Sequence, residues 1–151
     1  MANPEPYQLY LADVPFDDKP GTKYRPALII MPNVGKTTIY KVTTGHDKKS
    51  KEIRAVYYKI SDWKKAGLRF QSYVDVHVTY TVPTRSLTKK KLIGRLSDSD
   101  AAQLFDFIEA HQEDIKLVND RARINPGKQA HDRELLKRAA IQKKLKGMDR
   151  G

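Results

Sequence analysis

The stretch "SYVDVHVTYTV" (72–82) constrains the fold of this chain more than any other. Val74, Val76, Val78, Tyr80 and Val82 alternate with Asp75, His77, Thr79 and Thr81. Successive side chains leave a pleated backbone on opposite sides, so a period of two is the mark of a strand. The pattern predicts one strand with its valines on one face and its polar set on the other. A strand of this kind needs neighbours, and the sequence supplies them. "YQLYLADV" (7–14), ended by Pro15, "YRPALIIM" (24–31), ended by Pro32, "TTIYKVTT" (37–44) and "EIRAVYYKI" (52–60) all read as strands, and "KLIGRL" (91–96) as a last short one. The connections "PFDDKPGTK" (15–23), "PNVGK" (32–36) and "GHDKKSK" (45–51) carry loop chemistry. Ser61-Asp62 ahead of "WKKAG" predicts a short helical turn.

The period changes after residue 96. In "LSDSDAAQLFDFIEAHQEDIKLV" Ala101, Leu104, Phe105, Ile108 and Ile115 keep helical spacing. Ser97 or Ser99 can cap this helix, with Asp98 and Asp100 near its positive end. "NPG" (125–127) breaks the chain, and 129–146 reads as a second helix with a weak apolar stripe. Short strands closed by one amphipathic helix predict a mainly β (α+β) fold: a small half-open barrel packed on that helix, with residues 1–120 as the domain and 121–151 as a basic helical or flexible tail. At 151 residues the chain can bury one modest core.

Charge narrows the partners. Twenty-nine Lys and Arg against eighteen Asp and Glu leave +11, and residues 121–151 alone contribute +7. Such a balance favours polyanions, either nucleic acid or an acidic protein. With no cysteine there is neither a disulfide nor a thiolate metal site, and four scattered histidines give no ligand spacing, so no metal or other cofactor is expected. The start "MANPEPYQLY" lacks signal-peptide regions, and the longest apolar run, Ala27 to Met31, is too short for a bilayer. The expectation is a soluble, cytoplasmic protein without a membrane partner.

Gly35-Lys36-Thr37 has the look of a phosphate-cradling P-loop, but the motif fails. The position five residues before Gly35 is Ile30 rather than glycine, and the β-formers Thr37 to Tyr40 follow where a helix is required. The triplet is a connection between two strands. With the turn near 32–36, Arg25 and Thr43 stand on opposite arms at similar distance from the tip. An arginine fork beside a hydroxyl can grip one phosphate. Equally, Arg25 can pair with Asp17 or Asp18, and the threonines can be plain strand formers.

"Y-R-P-A-L-I-I", "V-T-T", "G-L" (67–68), "S-Y-V" (72–74) and "S-L-T-K-K-K-L-I-G-R-L-S-D-S-D" (86–100) occur in that order. Over residues 7 to 118 this resembles the MazF/PemK toxins of bacterial toxin–antitoxin modules, the "IGRLSD" run most specifically. The resemblance implies a small SH3-like barrel, usually a homodimer. It implies metal-independent cleavage of single-stranded RNA to 2′,3′-cyclic phosphate and 5′-OH ends, blocked by an acidic antitoxin. By motif, Arg25 corresponds to the family's catalytic arginine and Thr43 to its catalytic threonine. Two positions depart from the family pattern. Pro20 stands where many members carry a glutamate, and "His77-Val78-Thr79-Tyr80-Thr81" replaces "D-Q-I-R-T".

Cleavage without metal needs a base for the 2′-OH, and His77 is the candidate, since imidazole exchanges protons near neutral pH. The other reading of His77 is a hydrogen-bonded strand histidine. His46 and Asp17 or Asp18 are lesser candidates, and His111 and His131 read as solvated helix residues. Tyr24, Lys36, Thr44, His46, Lys48, Lys49 and Asp75 form the candidate RNA-binding set, with Tyr40 and Tyr73 as further stacking or core aromatics. Two rival functions stand beside the nuclease: a barrel that binds nucleic acid without cutting it, and an interaction module for an acidic protein.

Overall fold

A computed structural model describes residues 3–16 and 19–121. Six strands form one antiparallel sheet: β1 (Gln8–Pro15), β2 (Thr22–Met31), β3 (Lys36–Thr43), β4 (Tyr57–Lys59), β5 (Tyr73–Pro83) and β6 (Leu92–Arg95), in the order β4-β5-β3-β2-β1-β6. The sheet does not close on itself. Four helices accompany it: α1 (Lys51–Arg54), α2 (Thr84–Thr88), α3 (Asp98–Ala110) and α4 (Gln112–Arg121). This is the mainly β, half-open architecture expected from the pattern. The expected tail helix over 129–146, with His131, and the loop residues Asp17 and Asp18 lie outside the described residues.

Both faces of the sheet are buried. One carries Leu28, Tyr40, Val42, Val74 and Val76 against Leu104, Ile115 and Val118 of α3 and α4. The other gathers Tyr10, Ala27, Ile29, Ile39, Val78 and Tyr80 around Leu87 of α2. The expected single valine face of β5 is therefore divided. Ile39 pairs with Tyr80 but Lys41 pairs with Asp75, so residues 76–79 stand against Tyr40 alone. This bulge reverses the side-chain parity, sending Val74 and Val76 to one core and Val78, Tyr80 and Val82 to the other. It also buries the polar set that alternation had placed apart: Asp75, His77 and Thr79 are all inside.

Residues 52–60 are not one strand. Ser50 accepts a hydrogen bond from the Ile53 amide, starting α1, and only Tyr57–Lys59 joins the sheet. The long helix breaks at His111, whose dihedrals leave the helical region. Its ring, expected in solvent, stacks on Phe107 at 4.0 Å and bonds the Phe107 carbonyl.

The run "IGRLSD" has a packing reason. A Cβ on Gly94 would lie 2.1 Å from the Ala66 carbonyl oxygen, so the turn at 61–67 presses backbone to backbone on β6. Ser97 caps α3, and three residues on, Asp100 is fully buried. Its carboxylate accepts from the Tyr58 hydroxyl (2.6 Å), the Ser61 and Asp62 amides (2.9 and 2.8 Å) and the Ser97 hydroxyl (3.3 Å). Asp100 thus staples the 61–67 turn and β4 to the start of α3.

Candidate active site

The connection between β2 and β3 is a tied-down hairpin tip. Asn33 Oδ1 accepts the Val34 N–H, the Thr84 N–H reaches the Gly35 carbonyl (3.1 Å), and the Thr37 and Thr84 hydroxyls meet at 2.8 Å. β3 starts at Lys36, so a strand stands where a phosphate loop would need a helix N-terminus. Lys36 pairs with Pro83 at this tip, seven residues from Thr43 or roughly 23 Å along the strand. It does not join the residues gathered at the other end.

At that other end the hairpin arms part. The β2–β3 ladder runs from the tip to Ala27↔Lys41 and stops there. The next residue of β2 is Pro26, whose ring nitrogen has no hydrogen to donate to a ladder. Continuing the register by two residues brings Arg25 opposite Thr43, beyond the last pair. Both are half-buried. The ladders on either side extend this into rows across one face. Tyr10, Ala27, Lys41, Asp75 and Tyr57 form one row, and the next holds Ala12 beside Arg25 and then Thr43, Tyr73 and Lys59.

The β5 bulge lies in the first of these rows and folds Asp75 onto His77. Asp75 Oδ1 bonds His77 Nδ1 and accepts the His77 backbone N–H (3.2 Å), while Lys41 Nζ lies 3.4 Å from Oδ2. All three side chains are largely withdrawn from water, at 14, 2 and 7 % exposure for Lys41, Asp75 and His77. Burial alone would push the Asp75 carboxyl up. The His77 hydrogen bond and charge, then Lys41, outweigh burial and hold it below the usual aspartate range. An ionised Asp75 can only accept hydrogen bonds, so the shared proton resides on His77 Nδ1. In the neutral ring, Nε2 is then the nitrogen that carries the lone pair. A buried titratable trio of this kind is costly to fold and marks a candidate site.

Thr43 is also held. Its Oγ1 accepts the Gly45 N–H at 3.1 Å, which leaves its own proton to donate. Gly45 leads into a single 3-10 turn, His46–Lys48, and the His46 ring stacks on Tyr73 at 4.3 Å and 13°. Thr44, Lys48 and Lys49 are exposed around this turn. Tyr24 belongs elsewhere. As the neighbour of Arg25 it faces the opposite side of β2, 51 % exposed, with Lys90 Nζ 5.1 Å from its ring. Of the candidate set, the fold joins Asp75 to His77 and sets Thr43 beside the turn that carries His46, with Thr44, Lys48 and Lys49 exposed on that turn and Arg25 at the same end of β2. Lys41 escaped sequence reading, although a lysine between Ile39 and Thr43 in a buried strand was the available signal. Among the described residues no three His, Asp or Glu side chains converge as a metal site.

Residues 5–111 match the model of the family described as PemK-like, MazF-like toxin of type II toxin-antitoxin system. The chain belongs to this family. The toxin also resembles solved structures in fold. One is an endoribonuclease from mycobacterial species, with 14 % identity and TM-score 0.52, covering 75 % of this chain and 94 % of that one. Another is the Mycobacterium tuberculosis toxin MazF-mt6, with 23 % identity and TM-score 0.50, covering 70 % and 96 %. No curated protein matches. No helix among the described residues is long and apolar enough to cross a membrane.

Proposed function

We propose that this toxin is a metal-independent endoribonuclease that cleaves single-stranded RNA by internal transesterification. The observation that carries the reading is the end of the β2–β3 ladder at Ala27↔Lys41, two residues short of the register positions of Arg25 and Thr43, beside the buried Lys41, Asp75 and His77. The guanidinium fork meets two non-bridging phosphate oxygens and stabilises the charge that builds as the phosphorus becomes five-coordinate. The Thr43 hydroxyl, fixed by the Gly45 N–H, donates to one of those oxygens. His77 Nε2 takes the proton of the 2′-OH, and Asp75 holds the ring in the tautomer that leaves Nε2 free of hydrogen. The 2′-oxygen bonds to phosphorus as the bond to the 5′-oxygen breaks, and the leaving oxygen takes up a proton from solvent. The products are a 2′,3′-cyclic phosphate and a 5′-OH.

The same reading extends to partners and place. An acidic antitoxin segment would lie against the basic rim around Lys48, Lys49 and Lys59, and the toxin would act in the cytoplasm as a homodimer. Residues 121–151, at +7, would add non-specific grip on RNA. Pro20, exposed in place of the glutamate of many members, leaves the base role to His77.

Purified toxin is incubated with unstructured RNA in EDTA beside Arg25→Ala. Fragments with 5′-OH ends from the parent, reduced about 10²–10³-fold in the variant, are expected. A mobility shift with no fragments from the parent would instead make this a nucleic-acid-binding module. Neither shift nor fragments would point to an interaction module for an acidic protein.

A further inference from the structure

Three aromatic rings crowd the edge of the site: Tyr57 belongs to the core, Tyr73 packs against it, and His46 lies outside it on the Tyr73 ring. His46 lies nearly parallel to Tyr73, 4.3 Å apart and 13° between planes, and Tyr57 tilts against both at 6.2 and 6.5 Å. The His46 side chain keeps 26 % of its surface in water, with its Nδ1 turned to Asp47 at 3.0 Å. The stack holds the His46 ring in place, and its partial exposure leaves part of that ring open to a further ring.

The location says what that is. Tyr73 pairs directly with Thr43 in the β3–β5 ladder, so the two residues stand on adjacent strands, whose backbones lie about 4.8 Å apart. The Thr43 Oγ1 bond to the Gly45 N–H anchors the turn that carries His46. Lys59 flanks Tyr73 on β4, and Lys48 and Lys49 follow His46, all exposed. A π-faced platform ringed by cations beside a phosphate grip suits a nucleobase stacked on aromatics with its backbone on lysines.

We infer that the His46–Tyr73 stack is the seat of an unpaired nucleobase next to the scissile phosphate, and that Thr43 sets both the platform and the phosphate grip. The inference rests on the ribonuclease reading and deepens it by naming the side chains that hold one base of the strand. A stack accepts any base face, so the platform supplies affinity and not sequence choice. Thr43 has two tasks. As acceptor it holds the 45–46 turn, and as donor it meets the phosphate.

The test is binding, so that it stands apart from cleavage. An unstructured RNA dodecamer, fully 2′-O-methylated so that it cannot be cut, is titrated with the whole toxin while each base in turn is removed. One abasic position should weaken binding by at least about fivefold, the low end for one stacked base. In His46→Ala that penalty should vanish, and in His46→Phe it should return. If His46→Ala binds as tightly as the parent and keeps the same abasic penalty, or if no position carries a penalty, the platform is wrong while the nuclease reading stands. If the parent fails to hold the methylated strand and also neither binds nor cuts the unmodified one, both fall.

Discussion

Two aspartates, each buried on its own side of the toxin, have been given opposite tasks. Asp100, beneath the start of α3, is met by four neutral donors: the Tyr58 and Ser97 hydroxyls and the Ser61 and Asp62 amides. Asp75, on the other face, is met by groups that themselves carry or exchange protons, His77 and Lys41. In both, burial alone would raise the carboxyl, and in both the bonds received outweigh it and hold it low. What differs is what the partners can do next. Backbone amides and hydroxyls with full bonding can only hold, so Asp100 fixes geometry. An imidazole and an ammonium can pass or balance a proton, so Asp75 tunes a reaction. The surroundings, and not the residue type, decide which aspartate is structural.

The largest way to break this contrast is Asp100→Ala. Removing the acceptor leaves the Tyr58 hydroxyl and two amides buried without it, at a cost of about 3–5 kcal/mol in unfolding free energy, read by urea denaturation. A loss below about 1 kcal/mol would mean that Asp100 is not the staple described. Asp75→Asn should be smaller and fall elsewhere. The amide keeps an oxygen for His77 Nδ1–H, so the bulge holds, but the charge that stabilises a protonated ring is gone. Cleavage kcat should drop about 10–100-fold, toward the lower reach of general-base effects, with KM little changed. Should Asp75→Asn instead unfold the protein as Asp100→Ala does and leave kcat per folded molecule intact, Asp75 is a second staple and the contrast is lost.

The same pair shows how far the sequence could be read. Spacing alone made β2 and β3 an antiparallel hairpin around the 32–36 turn, because a short turn folds its two arms back on each other. The helix cap at Ser97 was legible for the same local reason. Asp100 was legible only as a favourable charge near a helix end, since its partners Tyr58, Ser61 and Asp62 lie some forty residues away. The β5 bulge was not legible at all. The alternation of Val74 to Val82 runs unbroken in sequence, and nothing in it records that the backbone inserts residues between Asp75 and Tyr80. That insertion puts His77 on Asp75, which strict alternation would have left side by side on a wet face. Likewise α1 was hidden because the β-formers of "AVYYKI" outweighed one serine cap.

The smallest of these expected effects, Tyr58→Phe, sharpens the comparison through pH. The Tyr58 hydroxyl donates to Asp100 at 2.6 Å, and its own pKa is pushed above the ordinary tyrosine range by burial first and Asp100 next. Deleting the hydroxyl removes one donor of four and should cost roughly 0.5–1.5 kcal/mol at neutral pH. The folded pKa of Asp100 lies below its ordinary 3.8, so its contribution is complete above that value and is lost as pH falls through the depressed folded one. With three donors left, the folded value moves back toward 3.8, the acid window narrows, and acid unfolding should begin at a higher pH than in the parent. Cleavage at neutral pH should stay at the parental level, since Tyr58 packs in the core under α3 and not on the face of Asp75. An unchanged acid transition would mean that the amides and Ser97 alone hold Asp100 ionised. Cleavage falling with the hydroxyl would mean that the two aspartates are coupled through the sheet rather than separated by it.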